Sequence, residues 1–482
     1  MATIIDQISD FFKSWKPELN DIDVVQLPKA GSDRLYFRVT APQRSYIVTY
    51  NQNLPENRTF IEFSRHFLAN QVAVPELFHS SADGHFYIQS DLGRHSLFDI
   101  VQQEGFTDNT FQLYQKTLHQ LAHLQIKGGK GLNYDFCIAT RSFDRQAIYS
   151  DLLYFKYYFL RALQLPYDKN LLLNDFETLS LYLTQERNKC FMHRDCQSRN
   201  VMVHNNNVYF IDYQGGMQGA LQYDVASMLW QAKAALPYEW RDELVTYYFE
   251  KANELLNNQL IYKDFIENYH GFVLIRMLQT LGAYGFRGLF ERKPHFISSI
   301  PYALKNLQWF LENKTLPIRL PELQKVLQAM VEEPVIRRFE NIKATKESKL
   351  VVKICSFSYK SGIPEDPSGN GGGFVFDCRG ILNPGRYEEY KKLTGRDKPV
   401  IDFLMYRTEM PSFLQHVYGL IDISVSDYLK RNFESLTVSF GCTGGQHRSV
   451  FAADQLADHL RTKFGCQVKL SHRVQDAKNW IN

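Results

Sequence analysis

The chain is poor in the features that mark several large classes of protein. Its 482 residues hold seven cysteines, an odd number scattered singly with no Cys-x-x-Cys pair. That argues against a disulfide framework or a zinc ribbon and suits a reducing cytoplasm. No stretch approaches the ~20 consecutive apolar residues of a membrane-spanning helix. The opening Met1-Ala-Thr-Ile-Ile-Asp6 lacks a basic region followed by an apolar run, so neither export nor a membrane partner is expected. Neither sign of charge dominates: 55 Lys+Arg against 52 Asp+Glu leave +3, too little for a polybasic nucleic-acid coat. What the chain does have is apolar bulk, 44% hydrophobic and 14% aromatic, enough for sizeable cores. At roughly 150 residues per domain the length suggests about three folding units.

Periodicity divides the chain into regions. Ile4, Ile5, Ile8, Phe11, Phe12 and Trp15 recur at helical spacing. With little basic charge on that face, the helix is expected to dock on its own domain rather than on a membrane surface. Two strands are expected over 27–40 and 45–50, the first entered through a Gly31-Ser32-Asp33 turn, then a helix near 60–71 and a strand at 86–90. Helical patterns cover 111–127 and 145–163. A short apolar hairpin at 202–203 and 208–212 interrupts them, and they return over 224–256 and 264–310. A small mixed lobe before a mostly helical one is an α+β arrangement. Residues 332–349 are charged and aperiodic and read as a linker between a domain at 1–331 and another at 350–482. Beyond it, 350–358, 374–377 and 436–440 are short apolar runs of the kind found in buried parallel strands, with helices at 401–430 and 448–464 and a flexible loop at 368–373. This is a separate α/β domain with a mostly parallel sheet.

The first chemical constellation is His193-Arg-Asp195-Cys-Gln-Ser-Arg-Asn200, with Asp212 ending the apolar hairpin twelve residues later. Phosphoryl transfer requires a carboxylate to orient and deprotonate the attacking hydroxyl, and oxygen ligands to hold Mg²⁺ against the ATP phosphates. Asp195 suits the first role, Asn200 and Asp212 the second. His-x-Asp-x4-Asn with a later strand-ending Asp is the catalytic loop of kinase-like folds. A phosphate-covering loop is expected at 29–38, where the backbone of Gly31, Ser32 and Asp33 could approach the nucleotide. The lysine that protein kinases carry on the next strand is missing from Ser45-Tyr-Ile-Val-Thr-Tyr50, and Glu62, the positional candidate for its partner, reads more readily as a surface residue. Asp224, opening a helix after Gly215-Gly216, reads as an anchor of the catalytic loop rather than a reacting group. The aromatic helix with Tyr149, Tyr154, Phe155, Tyr157 and Tyr158 reads as core, or alternatively as a sugar-stacking face.

Several segments in order carry a resemblance: Ser32-Asp-Arg34-Leu-Tyr-Phe-Arg38, Ser90-Asp91-Leu92-Gly-Arg94, the catalytic loop, Ile211-Asp-Tyr-Gln214 with Tyr223-Asp224, and Leu278 to Arg287. To about residue 315 the chain resembles the aminoglycoside phosphotransferase/choline kinase superfamily. Within it, the likeness is greatest to the bacterial anomeric kinases of N-acetylmuramate and N-acetylglucosamine (AmgK), which also lack the strand lysine. The resemblance implies a two-lobed protein-kinase-like fold and ATP- and Mg²⁺-dependent transfer to a sugar hydroxyl, with the anomeric one as the expected acceptor. Asp195 would be the base and Asn200 and Asp212 the metal ligands. Gly31, Ser32, Asp33 and Arg34 would lie over the phosphates, with Gln89, Asp91 and Leu92 in the hinge beside adenine. Two departures bear on the sugar: Cys196-Gln197 replaces a frequent aromatic-His pair, and Thr49-Tyr50-Asn51 replaces Asp-Ala-Pro.

The second constellation is an anion cradle. The strand ending at Phe440 runs into Gly441-Cys442-Thr443-Gly444-Gly445-Gln446-His447-Arg448-Ser449 and a helix follows. Turn amides and a helix N-terminus favour negative charge. Two chemistries fit: a Cys-x5-Arg phosphatase using a Cys442 thiolate, with Asp377 as its acid, or ligand binding with no covalent step. Residues 350–475 resemble the C-terminal domain of the RNase adapter protein RapZ, through Phe357 to Pro364, Val375 to Arg379, Asn383-Pro384, Thr394-Gly395, the cradle, and His472-Arg473. That resemblance implies a phosphosugar ligand lined by Asp377, Arg379, Cys442 to Ser449, His472 and Arg473. RNA regulation belongs to the same family, but its P-loop N-terminal domain is absent here, so an RNA partner is not expected. A homo-oligomer is compatible with the sequence.

Overall fold

The computed structural model describes residues 3–19, 21–28, 34–339, 343–345, 347–365 and 373–477. The Gly31-Ser32-Asp33 turn and nearly all of the 368–373 loop lie outside them. The chain forms two compact units, Met1–Phe339 and Glu340–Asn482, rather than about three.

The first unit opens with helix α1 (Ile4–Trp15), started by a reciprocal Thr3–Asp6 capping box. It covers one face of an antiparallel sheet of β1 (Asp23–Gln26), β2 (Leu35–Thr40), β3 (Ser45–Tyr50), β4 (Leu77–Ser80) and β5 (Phe86–Ser90), in the order β1-β2-β3-β5-β4. Ile8 and Phe12 pack there on Phe37, Val39, Tyr46, Val48 and Ile88. Helix α2 (Leu54–Ala69) covers the other face with Phe60, Phe63 and Phe67, so β3, central and covered on both sides, reads as a continuous apolar run instead of an alternating one.

The helical lobe follows, threaded by two short hairpin-like pairs: β6 (Lys189–Met192) with β9 (Met217–Ala220), and β7 (Val201–His204) with β8 (Asn207–Phe210). The helix Tyr262–Tyr284 is buried along most of its length. Two helices widen into π turns at Lys156–Leu160 and Gly285–Phe290. The turns meet at Gly285, where a Cβ would sit 2.3 Å from the Tyr158 carbonyl oxygen. The aromatic stripe is divided by this packing. Phe155 and Phe159 are core, whereas Tyr157 is exposed and Tyr158 packs edge-on to Phe286 at 4.9 Å.

Both ends of the stretch 332–349 pack into the units that flank it. Glu333–Ile336 is a short helix whose Val335 and Ile336 are buried in the core of the first unit, with Phe339 packed beside them. Charged neighbours mask these apolar residues in the sequence. At the other end, the Ala344 amide donates to the Phe464 carbonyl at 2.7 Å, inside the second unit.

The second unit is built on four parallel strands, β10 (Val351–Ser358), β11 (Phe374–Asp377), β12 (Ser435–Cys442) and β13 (Gln467–His472), in the order β11-β12-β10-β13. Edge strand β13 alternates polar and apolar residues and so escapes a search for continuous apolar runs. The helix expected over 401–430 is two, Lys398–Tyr406 and Met410–Lys430, the second with Pro411 in its first turn. The whole chain is therefore α+β: a two-lobed kinase-like unit with an antiparallel N-terminal sheet, then a unit with a parallel sheet. No helix among the described residues is long and apolar enough to cross a membrane.

Candidate active site and anion cradle

The loop after β6 is fixed by a buried carboxylate. Asp224 accepts from the backbone amides of His193 at 2.7 Å and Arg194 at 3.0 Å, and from Gln125 Nε2 at 3.0 Å. Burial pushes its pKa up, and those donors oppose the shift. His193 Nε2 lies 3.0 Å from the Ile211 carbonyl, which assigns the proton to that nitrogen and ties the loop to the segment carrying Asp212. Arg194 has φ 75° and Asp212 φ 65°, left-handed conformations that cost roughly 1–3 kcal/mol for such residues unless the surroundings impose them. For Arg194 the surroundings are both oxygens of Asp151 at 2.7 Å and the Tyr223 hydroxyl at 2.5 Å.

Asp195 stands at the mouth of this loop, partly open to solvent. Its Oδ1 accepts from Arg276 Nη2 at 2.9 Å and Gln197 Nε2 at 2.8 Å, and its Oδ2 from Arg199 Nη2 at 3.0 Å. Burial pushes its pKa up, but Arg276 and then Arg199 outweigh it and hold the carboxyl at about 2. Asn200 donates from Nδ2 to the Asp195 carbonyl at 2.9 Å, which leaves its own oxygen as an acceptor. The exposed Asp212 carboxylate accepts from Gln214 Nε2 at 2.7 Å and faces Arg34 Nη1 at 3.4 Å. One amide oxygen and one carboxylate suit Mg²⁺, which is commonly held by one or two protein oxygens together with phosphates and water. No cluster of three His, Cys, Asp or Glu ligands exists among the described residues.

On the nucleotide side, Gly31, Ser32 and Asp33 lie outside the described residues. Arg34 is buried and paired with Glu56 of α2. Glu62 is not the carboxylate that faces the cleft: it pairs with Arg65 on the surface. Gln89 and Leu92 are buried at the end of β5, and Gln89 Oε1 has no partner. The Asp91 side chain is held at the hinge itself. Its carboxylate is spent on Arg38 Nε at 2.6 Å, Ser45 Oγ at 2.7 Å and the Gly93 amide at 3.0 Å. Only its main chain remains for adenine.

Sequence reasoning missed the pocket beside Asp195. Gln197, Trp230, Gln231, Arg276, Thr280 and Tyr284 line it, and none of its described lining residues is a carboxylate. The Ser227 hydroxyl, which also lines it, is buried without a partner. Nothing in the sequence links Arg276 to a loop 81 residues away.

In the second unit the cradle forms as expected at the end of β12, with the helix Arg448–Phe464 behind it. Its side chains build the loop more than they line it. Gln446 donates to the Lys391 and Leu393 carbonyls, and His447 Nε2 meets the Tyr390 carbonyl at 2.9 Å. Burial pushes the His447 pKa down, which favours the neutral ring. Cys442 is buried, with Sγ 3.1 Å from Ser449 Oγ and accepting from the Gly445 amide at 3.2 Å. Arg448 and His472 correct the expected lining. Arg448 Nη1 donates to the carbonyls of Arg379 at 3.0 Å and Ile381 at 2.7 Å. His472 is enclosed by Ser356, Arg396 and Asp454. Asp377 and Arg379 are paired with each other, and Arg379 stacks on Tyr359 at 3.8 Å. Thr443, Gly444 and Arg473 are exposed.

Residues 23–256 match the family model of phosphotransferase enzymes. The first unit is a kinase-like phosphotransferase domain, a fold that implies ATP and a divalent metal. Residues 350–476 match the RapZ C-terminal domain. The chain is therefore a phosphotransferase-family domain fused to a RapZ C-terminal domain. The RNase adapter protein RapZ of Yersinia enterocolitica is 38% identical over 133 residues, 28% of this chain and 45% of that protein. A nucleotide-binding protein of Glaesserella parasuis is 37% identical over 137 residues, 28% of this chain and 45% of its own. The chain thus spans under half the length of these curated relatives. Among solved structures, a choline/ethanolamine kinase family protein from Mesorhizobium loti aligns with 68% of this chain and 99% of its own at 12% identity and a TM-score of 0.45. The amicoumacin kinase hAmiN aligns with 66% of this chain and 97% of its own at 13% identity and a TM-score of 0.42.

Proposed function

We propose that the first unit is an ATP- and Mg²⁺-dependent kinase acting on a sugar or amino sugar. Its favoured acceptor is the anomeric hydroxyl, giving a sugar 1-phosphate for cell-wall recycling or nucleotide-sugar synthesis. The observation that carries this reading is Arg276, which binds Asp195 and lines a pocket free of lining carboxylates. A cationic acceptor would find no carboxylate in that wall, and the nearest one, Asp195, is already paired with Arg276. A neutral, hydroxyl-rich acceptor would meet Gln197, Gln231, Ser227 and Thr280 instead.

Asp195 orients the acceptor hydroxyl and takes its proton as the oxygen bonds to the γ-phosphorus and the bond to the departing ADP breaks. A carboxylate held at about 2 is a weak base. It suits the loose transition state of phosphoryl transfer and the most acidic hydroxyl of a sugar, the anomeric one. Asn200 and Asp212 would hold Mg²⁺, which supplies charge neutralisation at the phosphates.

The second unit is read as a phosphosugar-binding domain that tunes the kinase, supported by the exposed turn at Thr443 and Gly444 before a helix N-terminus and by the nearby Arg473. The phosphatase reading has less support, because Arg448 is buried and its Nη1 is held by two backbone carbonyls. The likeness to an RNase adapter protein of Yersinia enterocolitica favours one other reading, a regulatory adapter for RNA or protein whose kinase-like domain serves as a sensor.

ADP release is measured across N-acetylmuramate, N-acetylglucosamine, glucosamine, mannose and glucose, with choline and an aminoglycoside as cationic controls. Wild type is run beside Asp195→Asn, and products are read by ³¹P NMR. Sugar-dependent turnover with a 1-phosphate signal, absent in the variant, is expected. Turnover on the cationic acceptors alone overturns the sugar reading. Silence across the panel with steeply salt-dependent RNA binding would favour the adapter.

A further inference from the structure

Strands β11 and β12 pair in parallel register, with Phe376 opposite Phe440 and Asp377 opposite Gly441. Residues two apart on a strand share a face. Phe374, Phe376 and then Cys378 therefore follow one another on one face, and Val438, Phe440 and Cys442 follow one another beside them. The rings mark that face: Phe376 stacks on Phe440 at 5.4 Å and on Phe374 at 5.8 Å. Asp377 is still extended, with φ −92° and ψ 109°, so Cys378 takes the next place in the row, opposite Cys442. Adjacent strands lie about 4.8 Å apart, within the roughly 4.4–6.8 Å between Cα atoms that a disulfide spans.

Both residues are free thiols buried in the core of the second unit. Burial pushes the Cys378 pKa up, and the foremost ionisable neighbour acting on it is Cys442, ahead of Arg448. Cys442 retains a trace of exposure where Cys378 has none. Its Sγ opens the anion turn, accepting from the Gly445 amide at 3.2 Å and lying 3.1 Å from Ser449 Oγ. The other cysteines of this unit are placed differently. Cys355 of β10 pairs with Ser439, on the opposite face of the sheet, and Cys466 lies against the Leu460 carbonyl.

We infer that Cys378 and Cys442 are a peroxide-oxidised modification site, a reversible disulfide that ties the anion turn to the end of β11. Hydrogen peroxide first oxidises Cys442: its sulfur takes up one oxygen as a sulfenic acid, and the other oxygen leaves as water. The Cys378 sulfur then attacks the Cys442 sulfur. The S–O bond breaks, and its hydroxide leaves with the Cys378 proton as a second water. A dithiol reductant returns both thiols. Closing the bond draws Cys442 Sγ away from the Gly445 amide and Ser449, and so loosens the turn.

The full chain is treated with hydrogen peroxide, quenched with catalase, alkylated in denaturant and digested with trypsin. Mass spectrometry should find the Cys378 and Cys442 peptides joined, and separated again by dithiothreitol, with Cys355 and Cys466 alkylated. Hydrogen exchange over Thr443 to Gln446 should be about threefold or more faster in the oxidised chain than in the reduced one, as for one lost hydrogen bond. Cys378→Ser should show no such change on oxidation. Peroxide that leaves Cys378 alkylated, or that pairs Cys442 with a different cysteine, overturns the inference. A joined pair with unchanged exchange overturns its coupling to the turn. The cross-link is read in wild type, so it decides the matter even if Cys378→Ser fails to fold.

Discussion

Arg276 Nη2 donates to Asp195 Oδ1 at 2.9 Å, joining the middle of a buried helix to the catalytic loop. Arg276 is itself held by Gln279 Oε1 at 2.7 Å. The helix thus presents one fixed cation both to the carboxylate that would orient the acceptor and to the pocket where that acceptor would lie.

The pH dependence follows from the sign of that contact. The carboxyl is depressed to about 2, so it is charged at any higher pH and loses its charge only as pH falls through that value. The wild-type kcat/KM profile should show no ionisation of Asp195 between about pH 5 and 9. Arg276→Met removes the largest lowering influence, so an acid limb should move up toward the measured range. A profile of identical shape in the variant would separate Arg276 from the proton inventory.

Asp195→Asn keeps the shape of the side chain but removes its charge. Turnover should fall by about 10²–10⁴-fold. ATP affinity, measured by titration, should change little. A large loss of ATP binding would mean that the residue supports the nucleotide site instead.

Asp224 should prove structural. Replacing it with Ala strips this buried acceptor from two backbone amides and from Gln125. Urea unfolding should show a loss of about 3–5 kcal/mol. Asp224→Asn keeps one acceptor oxygen and should lose less.

In the cradle, Gly445 has φ +65°, and a Cβ there would sit 2.5 Å from Val474 Cγ2 and 3.1 Å from the Ser358 amide. Gly445→Ala should weaken phosphosugar binding to the full chain. Cys442→Ser should leave it nearly unchanged, and neither wild type nor Cys442→Ser should hydrolyse p-nitrophenyl phosphate. Hydrolysis that is lost in Cys442→Ser would restore the phosphatase reading.

The boundary of the first unit should lie past Phe339. Ending the chain after Val331 removes the buried Val335 and Ile336 and should lower the melting temperature of the first unit. Ending it after Phe339 should not.

Much of the kinase-like unit was legible because its chemistry is local. His193 to Asn200 and Asp212 lie on adjoining short elements, so spacing alone brings them near one another, and the structure does so. The cradle was legible for the same reason, as one turn between a strand and a helix. What lay beyond reach were pairings between distant segments. Nothing in the sequence ties Arg276 to Asp195, Arg34 to Glu56, or Arg448 to the carbonyls of Arg379 and Ile381. Glu62 and His472 illustrate the converse: their positions suggested sites, and packing put one on the surface and enclosed the other.

The sequence by itself determined the two-unit order, the His193–Asn200 loop, the glycine-rich turn before the helix at Arg448 and the absence of a strand lysine, because periodicity and short-range spacing are properties of neighbouring residues. Only the tertiary structure decided where the cations go. A guanidinium reaches several ångströms from its backbone and takes whichever carboxylate or carbonyl the fold brings within range. The partners of Arg34, Arg276 and Arg448 are therefore products of packing, and with them the depressed pKa of Asp195 and the lining of the pocket beside it.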